Sequence, residues 1–553
     1  MTPPSRASRA AWLVRALLVL GFLSAARYAL EATRDATVSI RILDAATGDP
    51  TPVRVRLADS AGVTPRVTGA LPVSESAIGI PTAAIPVFYG RNDHAEGYLL
   101  QPDGSFYVDG SFEAALPPGR YTLALSKGPE YVAQSLTLDL AAGRRATRTY
   151  RIARWIDMPL RGWYSADDHV HLRRSPGDNR NILRWLAAED IHVGHLLQMG
   201  DFWETYFSQY AFGKAGRYQE RDYILSPGQE EPRTPEIGHT ISLGAETFAR
   251  SARDYYSFDR LFDRVRQTGG ITGFAHQGAS FHGYRGMTLN VLRGKVDFLE
   301  VMQFCVQGGP LITEHYYRFL DMGYKLTALA GSDFPWCGLG PQWGRPKELP
   351  QIGNARFYTY TGKAFTFESW LQAVKAGHTF TTTGPMLEFT VDGRLPGDTV
   401  DVAPGARIHV AARAWGEPAQ SPLRELEIVA QGEVLRKVTA GESGQTSAAL
   451  ALEFDVPADR GTWIAARARA ADTQLAHTTP VYVTVNGGGF ENSRTLAGNI
   501  DRGRQYLAEV EAELRDPGPG LDSQAARHRA NLERQIEETR EVLNHLESGR
   551  ARK

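Results

Sequence analysis

The sequence has 553 residues and a formal net charge of -1 at pH 7, and 42% of its residues are hydrophobic. A chain of this length exceeds what one hydrophobic core supports, so we expect roughly three or four domains. The near-zero net charge gives no electrostatic basis for binding nucleic acid or an anionic membrane surface, and we expect no nucleic-acid partner.

Residues 1–34 predict a targeting segment. Arg6 and Arg9 give the chain a basic start, and the run over residues 11–26 is apolar apart from Arg15 and ends in small residues. This pattern is typical of an export signal that a signal peptidase removes. The alternative is an uncleaved N-terminal membrane anchor, although the run is shorter than the ~20 apolar residues that span a bilayer. Either way we expect an exported protein: periplasmic, secreted or anchored to a membrane facing outside.

Two cysteines occur, Cys305 and Cys337. An exported fold stabilised by disulfides would carry more of them. Because each cysteine follows a predicted strand of the central region by a few residues, the two thiols could be neighbours and form a disulfide. Two unpaired buried thiols are the alternative.

The region 35–153 predicts a β-sandwich. Residues 37–57 read as two alternating strands joined by a Thr-Gly-Asp-Pro turn, and a Pro-Gly turn at 118–119 leads into another alternating strand. The pattern resembles the carboxypeptidase regulatory-like (transthyretin-like) sandwich found on many exported enzymes. The resemblance implies a supporting role rather than a catalytic one.

Strands and helices alternate along residues 160–386. Residues 178–190 have apolar side chains at helical spacing, and residues 257–270 begin with a serine cap and end at a glycine stop. Repeated β-then-α units favour an α/β fold with a parallel sheet and right-handed crossovers, closed into a distorted (β/α) barrel. In such barrels the functional side chains gather at the carboxyl ends of the strands.

The C-terminal part of the chain changes its pattern twice. Residues 387–488 return to short alternating strands, which is typical of an immunoglobulin-like β-sandwich. Residues 493–553 predict a helical hairpin with its turn at 517–520. An apolar stripe on the second helix is formed by Leu532, Ile536, Thr539, Leu543 and Leu546. This stripe either packs on the body of the protein or forms a dimer through the C-terminal helices.

One short stretch, Asp167-Asp168-His169-Val170-His171, organises the central region. Alternate side chains of a β-strand share a face, so Asp167, His169 and His171 point the same way. Two imidazoles placed like this can bind one metal ion, whereas the alternative is a pair of surface histidines on an edge strand. Further candidate side chains at the ends of later strands favour the metal site: Asp201, Glu230, His276, Glu300 and Asp333.

The order of these motifs resembles the PHP superfamily, and more closely the CehA/McbA-type metallohydrolases within it. The resemblance covers roughly residues 160–390 and rests on D-x-H-x-H, G-x-E, a Gly-His pair, an apolar strand ending in His, a Glu-Val pair, Gly-Ser-Asp and the segment 373–387. It implies a PHP-like metallohydrolase barrel flanked by the two sandwiches. It also implies metal ligands at His169, His171, Glu230, His276, Glu300 and Asp333, with Glu230 bridging two metals, and it matches His239 to the Gly-His pair.

The sequence departs from the superfamily pattern at two positions. The usual T-D-H is Gly200-Asp201-Phe202, and the usual S-D-x-H is Ser332-Asp333-Phe334-Pro335, so two histidines are missing. Those histidines normally help to hold a third metal. We therefore expect at most two divalent ions, and a single ion also fits. Imidazole and carboxylate ligands suit zinc, manganese or iron(II).

The ligand set indicates hydrolysis, because a metal site with an open position lowers the pKa of bound water and makes hydroxide near neutral pH. Asp201 or His239 would take the proton of the nucleophile or give one to the leaving group. Arg356 would hold an anionic oxygen of the substrate, or alternatively form a surface ion pair.

The insertion after Asp201 is rich in aromatic residues. They are Phe202, Trp203, Tyr206, Phe207, Tyr210, Phe212, Tyr218 and Tyr223. A long insertion between strands is typical of a lid or a binding wall, and an aromatic wall suits a planar leaving group or the face of a sugar. The alternative is that these rings cover the barrel mouth as core. We expect a small-molecule substrate, aromatic or sugar-like in character.

Three hypotheses about function remain. The first is an exported hydrolase that uses metal-bound hydroxide on an ester, amide or carbamate bond. The second is a PHP-type phosphoesterase, although the insertion carries no lysine cluster for a polyphosphate. The third is a catalytically silent binding protein of the cell envelope.

Overall fold

The computed structural model describes residues 35–72, 94–95, 98–99, 103–278, 280–303, 311–335, 351–362, 364–442, 446–471, 473–516 and 524–550. In these residues the protein is multidomain and mostly β, with one large, nearly closed barrel-like sheet and helices at the C-terminal end. The predicted targeting segment and both cysteines lie outside the described residues.

Alternation of apolar and polar residues places the first strands in one seven-stranded sheet with its own apolar core. In the first strand Val38, Ile40 and Ile42 are buried, and the residues between them are more exposed. The strands are β1 (Ala36–Asp44), β2 (Pro52–Ala58), β3 (Thr68–Ala70), β4 (His94–Ala95), β5 (Tyr98–Leu99), β6 (Phe106–Leu116), β7 (Gly119–Ser126), β8 (Gln134–Leu140) and β9 (Arg145–Ile152). The sheet runs in the order β8-β7-β2-β6-β1-β9 with β3 on β6, and β4 and β5 pair separately.

The central region contains the strands and helices that its periodicity predicts. The strands are β10 (Trp163–Val170), β11 (Val193–Gly200), β12 (Thr205–Tyr206), β13 (Tyr218–Glu220), β14 (Tyr223–Glu230), β15 (Arg233–Thr234), β16 (Gly238–Leu243), β17 (Ile271–Phe274), β18 (Phe298–Met302), β19 (Thr327–Ala330), β20 (Arg356–Tyr360) and β21 (Thr379–Thr382). The helices are α1 (Asn179–Ala188), α2 (Gly213–Gly216), α3 (Phe258–Gln267), α4 (Gly283–Val291), α5 (Glu314–Asp321) and α6 (Phe367–Ala376).

The central sheet contains the predicted parallel strands, but it is mixed. β10, β11 and β14 are parallel, as are β17, β18 and β19, but β16 runs antiparallel to both β14 and β17. The reason is the short link over residues 231–237, because a parallel connection needs a crossover of a dozen or more residues. A parallel bridge between Val170 and Phe334 brings the end of β10 to the turn after β19.

Strands of the C-terminal β region form backbone hydrogen bonds with the central sheet. Its strands are β22 (Met386–Val391), β23 (Thr399–Val402), β24 (Ala406–Trp415), β25 (Leu423–Ala430), β26 (Glu433–Thr439), β27 (Ala449–Ala458), β28 (Thr462–Ala470), β29 (Gln474–Thr478) and β30 (Val481–Val485). β22, β24 and β27 form a separate three-stranded sheet, whereas β29 pairs with β21 through Thr381 and His477. The predicted boundary at 386/387 therefore falls inside β22, and one apolar core reaches both sides of it.

Two long helices end the described chain, α7 (Leu496–Arg515) and α8 (Arg529–Arg550). The stripe residues Leu532, Ile536 and Leu543 are at most 2% exposed and belong to the same apolar core as α3 and α4. Thr539 is also buried and donates a hydrogen bond to the Leu289 carbonyl at 3.3 Å. These four stripe residues thus pack on the body of the protein, and a dimer through the C-terminal helices stays a prediction.

None of the helices in the described part of the chain combines the length and the apolar character needed to cross a membrane.

Candidate metal centre

The Asp167–His171 stretch enters the interior at the end of β10. Asp167, His169 and His171 are fully buried. Oδ1 of Asp167 accepts hydrogen bonds from the backbone N–H groups of His169 and Ser332 at 3.0 Å, and its Oδ2 accepts the N–H of Gly353 at 2.8 Å. Asp167 therefore links three segments of the chain. Its carboxylate binds backbone N–H groups rather than the two imidazoles.

The hydrogen bonds of the two imidazoles fix which nitrogen carries the proton. Nδ1 of His169 lies 3.0 Å from Oε1 of Glu300, and Nδ1 of His171 lies 3.2 Å from the carbonyl oxygen of Leu197. Both partners can only accept, so each Nδ1 carries a proton, and in the neutral ring each Nε2 has the lone pair. The two Nε2 atoms lie 3.2 Å apart.

Two carboxylates complete this first donor group, which consists of His169 Nε2, His171 Nε2, Glu230 Oε2 and Asp333 Oδ1. Glu230 Oε2 lies 3.7 Å from His169 Nε2 and 3.3 Å from His171 Nε2. Asp333 Oδ1 lies 3.4 and 3.3 Å from the same two nitrogens. Ligands about 2.0–2.1 Å from a tetrahedral zinc ion are about 3.3 Å from one another. These separations are close to that value, and His169, His171 and Asp333 together form a group that could hold a metal ion.

The other oxygen of Glu230 belongs to a second donor group, formed by Glu230 Oε1, His239 Nδ1 and His276 Nε2. His239 Nδ1 lies 2.9 Å from Glu230 Oε1 and 3.1 Å from His276 Nε2. Glu230 Oε1 and His276 Nε2 are 3.2 Å apart. Glu230 thus joins the two groups through opposite oxygens. His239, predicted as a proton-transfer residue, lies among the potential ligands.

An amide fixes the orientation of His276. Nε2 of Gln303 donates to Oε2 of Glu300 at 3.1 Å, which leaves Oε1 of Gln303 to accept from Nδ1 of His276 at 3.0 Å. In the neutral ring, Nε2 of His276 therefore has the lone pair, and this atom belongs to the second donor group. His276 and Asp333 also have positive φ angles, 58° and 51°, a costly backbone conformation for non-glycine residues that is concentrated at functional sites.

The local electrostatics keep both carboxylates ionised. Burial opposes ionisation of Glu230, but Arg233 and His239 outweigh it and hold its pKa well below the usual value. Burial likewise opposes ionisation of Asp333, and the nearby histidines lower its pKa. Burial, with the Arg233 guanidinium, lowers the pKa of His239 to about 3, so this ring is neutral at pH 7. Ionised carboxylates and a neutral imidazole are the forms that bind metal ions.

The structure places Glu300, predicted as a ligand of a second metal, behind His169. Its Oε1 accepts from His169 Nδ1, and its Oε2 accepts the backbone N–H of His276 at 2.6 Å and the Gln303 amide. Both oxygens are therefore committed to orienting other side chains. A carboxylate behind a metal-binding histidine fixes the ring's orientation and raises its basicity.

Two predicted catalytic residues make their hydrogen bonds with groups outside the two donor groups. Asp201 is a half-buried turn residue: its Oδ1 accepts the N–H groups of Trp203 and Glu204 at 2.7 and 2.9 Å, and its Oδ2 accepts the hydroxyl of Tyr206 at 2.8 Å. The proton-transfer role of Asp201 stays a prediction.

Arg356 is likewise committed elsewhere. Its guanidinium is buried and donates to the backbone carbonyls of Gly353 at 2.7 Å and Glu189 at 2.8 Å. Because it is buried, it is not a surface ion-pair residue, and its role toward a substrate anion stays a prediction. Since Gly353 in turn binds Asp167, Arg356 stabilises the loop that supports the end of β10.

The sequence analysis missed Arg233, whose Nε lies 3.2 Å from Glu230 Oε1 and 3.3 Å from His239 Nδ1. It also missed Phe281, whose ring stacks on His239 at 4.1 Å and is 51% exposed. Arg233 lies between two motif residues and could have been considered for that reason. Nothing in the local pattern distinguishes Phe281.

The aromatic insertion divides into core and surface. Phe207 is buried and packs on the ring of His171 at 5.3 Å, and Tyr223 stacks on His192 at 5.2 Å. Trp203, in contrast, is 58% exposed. The two alternatives for this segment therefore apply to different residues within it.

No known family profile and no curated protein matches this sequence. A comparison with solved structures finds a crystal structure of an engineered protein, 11% identical, with a TM-score of 0.14, over 56% of this chain and 53% of that chain. The chain thus spans about half the length of that structure.

Proposed function

We propose that this protein is an exported metal-dependent hydrolase that cleaves an ester, amide or carbamate bond. The observation that carries the proposal is the first donor group, in which each imidazole Nε2 lies 3.2–3.7 Å from the other Nε2 and from both carboxylate oxygens. The Nδ1 hydrogen bonds leave the two Nε2 atoms as the ring nitrogens that face one another. When the imidazoles are neutral and the carboxylates ionised, all four atoms present lone pairs to a buried volume, and a divalent cation would satisfy them.

A divalent ion held there supplies a Lewis acid and lowers the pKa of a water molecule that it binds. The side chains of this protein provide the setting for that chemistry. Glu300 and the Leu197 carbonyl hold the two imidazoles in place, and burial of the donors excludes bulk water. The exposed ring of Phe281 offers an apolar surface beside His239 for a planar part of a substrate.

The central region is proposed to be a PHP-like barrel of the CehA/McbA type, flanked by β-sandwich domains. The order of the donor residues along the chain and the nearly closed mixed sheet support this proposal. Export is proposed on the basis of the targeting pattern in residues 1–34.

One observation favours a phosphoesterase as the second candidate. The guanidinium of Arg233 lies beside Glu230 and is 21% exposed, so it adds positive charge at the edge of the centre. A guanidinium recognises phosphate oxygens well. An anionic substrate is therefore a realistic competitor to a neutral ester.

Metal analysis tests the centre itself. We expect the purified protein, after incubation with zinc or manganese and removal of free metal, to retain a stoichiometric ion. The His171→Ala variant should lose it, because it removes one of four donors. His409→Ala, which alters a half-exposed histidine of the C-terminal β region, is the matched control. Wild-type protein that retains no ion would overturn the proposal.

A substrate panel then separates the candidates. Aryl esters, anilides and aryl carbamates represent the first candidate, and aryl phosphates represent the second. Turnover of either set should disappear in His171→Ala and persist in His409→Ala. A protein that binds metal and turns over neither set supports the third hypothesis, a silent binding protein of the envelope.

A further inference from the structure

Arg233 reaches the centre because of its position in a short antiparallel ladder. β15 pairs with β16 so that Arg233 lies directly opposite His239. The backbone N–H of Arg233 donates to the hydroxyl of Tyr255 at 3.3 Å, which fixes the start of the side chain. This strand pairing therefore places the guanidinium of Arg233 beside His239.

The guanidinium contacts two of the three atoms of the second donor group. Its Nε–H donates to His239 Nδ1 at 3.3 Å, and the same nitrogen lies 3.2 Å from Glu230 Oε1. These lone pairs are the ones that a second metal ion would need. His276 Nε2, the third atom, lies 3.1 Å from His239 Nδ1.

We propose that the Arg233 guanidinium takes the place of a second metal ion, so that the centre binds one ion in the first donor group only. This inference rests on the proposed metal centre and specifies its stoichiometry. A guanidinium is a permanent cation with donors only, so it satisfies lone pairs as an ion would. Because it is part of the chain, it competes with free metal at every metal concentration.

The surroundings of Arg233 support this assignment. Phe202, which replaces a histidine of the superfamily pattern, packs against Trp203 and Tyr255 and adds no donor. Arg233 thus contacts two of the three atoms of the second donor group. A divalent ion entering this group would meet a like charge.

The test is the metal stoichiometry of variants, which requires no substrate. Wild type, Arg233→Ala and Arg233→Gln are equilibrated with zinc or with manganese, and bound metal is measured by elemental analysis. We expect one ion per chain in wild type and two in both variants, because removal of the charge frees the second donor group. The double variant Arg233→Ala/His239→Ala should return to one.

Manganese also gives a spectroscopic readout. Two manganese ions that share the Glu230 carboxylate would be exchange-coupled, so their electron paramagnetic resonance spectrum should differ from the isolated-ion spectrum expected of wild type. Arg217→Ala is the matched control, since this arginine is similarly buried, at 15% side-chain exposure, but pairs with Glu368 and Glu246. It should bind one ion.

The possible failures are distinguishable. Two ions in wild type, or one ion in folded Arg233→Ala and Arg233→Gln, would overturn the role of Arg233 and leave the metal centre intact. No ion in wild type would overturn the proposed function itself. Circular dichroism of each variant shows whether it is folded, and the glutamine variant preserves side-chain bulk should alanine prove unstable.

Discussion

Nδ1 of His169 donates a hydrogen bond to Oε1 of Glu300 across 3.0 Å, and neither side chain is exposed. The pairing selects the tautomer of His169 and aims its Nε2 at the first donor group. Glu300 therefore acts on a bound ion through His169 rather than by direct contact.

Replacement of Glu300 by glutamine should weaken metal binding without abolishing it. The amide can still accept a hydrogen bond, but it loses the negative charge that raises the basicity of His169. We expect the dissociation constant for zinc to rise about 10- to 100-fold, measured by competition with a chelator. Glu388→Gln, at a half-exposed carboxylate, is the control and should leave affinity unchanged. Complete loss of metal would instead identify Glu300 as a ligand.

Asp167→Asn should lower the free energy of unfolding by about 1–3 kcal/mol. The wild-type carboxylate accepts three backbone N–H groups, and an amide nitrogen in place of one oxygen leaves at least one of them unpaired in a buried position. Chemical denaturation of metal-free protein measures this loss, so that the effect on folding is separated from the effect on metal affinity. An unchanged midpoint would show that the loop at Gly353 does not depend on Asp167.

His195→Phe should stabilise the protein, and more so in acid. Burial lowers the pKa of His195 to about 3, and neither ring nitrogen has a hydrogen-bond partner within the described part of the chain. The unfolded chain takes up a proton near pH 6.5, so wild type loses stability as pH falls from about 6.5 to about 3. The new ring would face Trp370, which lies 5.2 Å from the imidazole. Denaturation at pH 7 and pH 5 should show a larger gain at the lower pH, and an equal gain would contradict the assignment.

Leu543→Ala tests whether the C-terminal helices belong to the body of the protein. Leu543 is completely buried, so its truncation should cost about 2–5 kcal/mol of unfolding free energy. Leu546→Ala, one turn further on and half-buried, should cost less than about 1.5 kcal/mol. If both variants instead lost little unfolding free energy, and if Leu543→Ala had a lower molecular mass in solution than Leu546→Ala, the stripe would join two chains.

The first donor group was accessible from sequence because its residues follow simple rules. His169 and His171 share a face through the two-residue period of a strand, and Glu230 and Asp333 come at or just after strand ends. The same rules place Glu300 on an inward face, but they do not give the distance between its carboxylate and the donor atoms. That distance decides whether the carboxylate binds a metal directly or supports a histidine that does. It depends on how the strands pack against one another.

Other features depended on partners that a sequence pattern does not reveal. Arg356 follows a Gly-containing loop and could equally have faced a substrate, yet the carbonyls of Gly353 and Glu189 satisfy it. The reversed direction of β16 was, in contrast, predictable, because residues 231–237 are too few for a crossover. The helical periodicity of α8 indicated a buried stripe but not which surface would cover it.

The ladder between β21 and β29 means that the C-terminal β region is not a detachable module. A chain truncated after Pro385 would leave β21 as a bare edge, with its N–H and C=O groups open to pairing with another molecule. Phe380, now buried, would lose part of its apolar surroundings. We therefore expect excision of this region to yield an aggregation-prone fragment rather than a smaller stable protein.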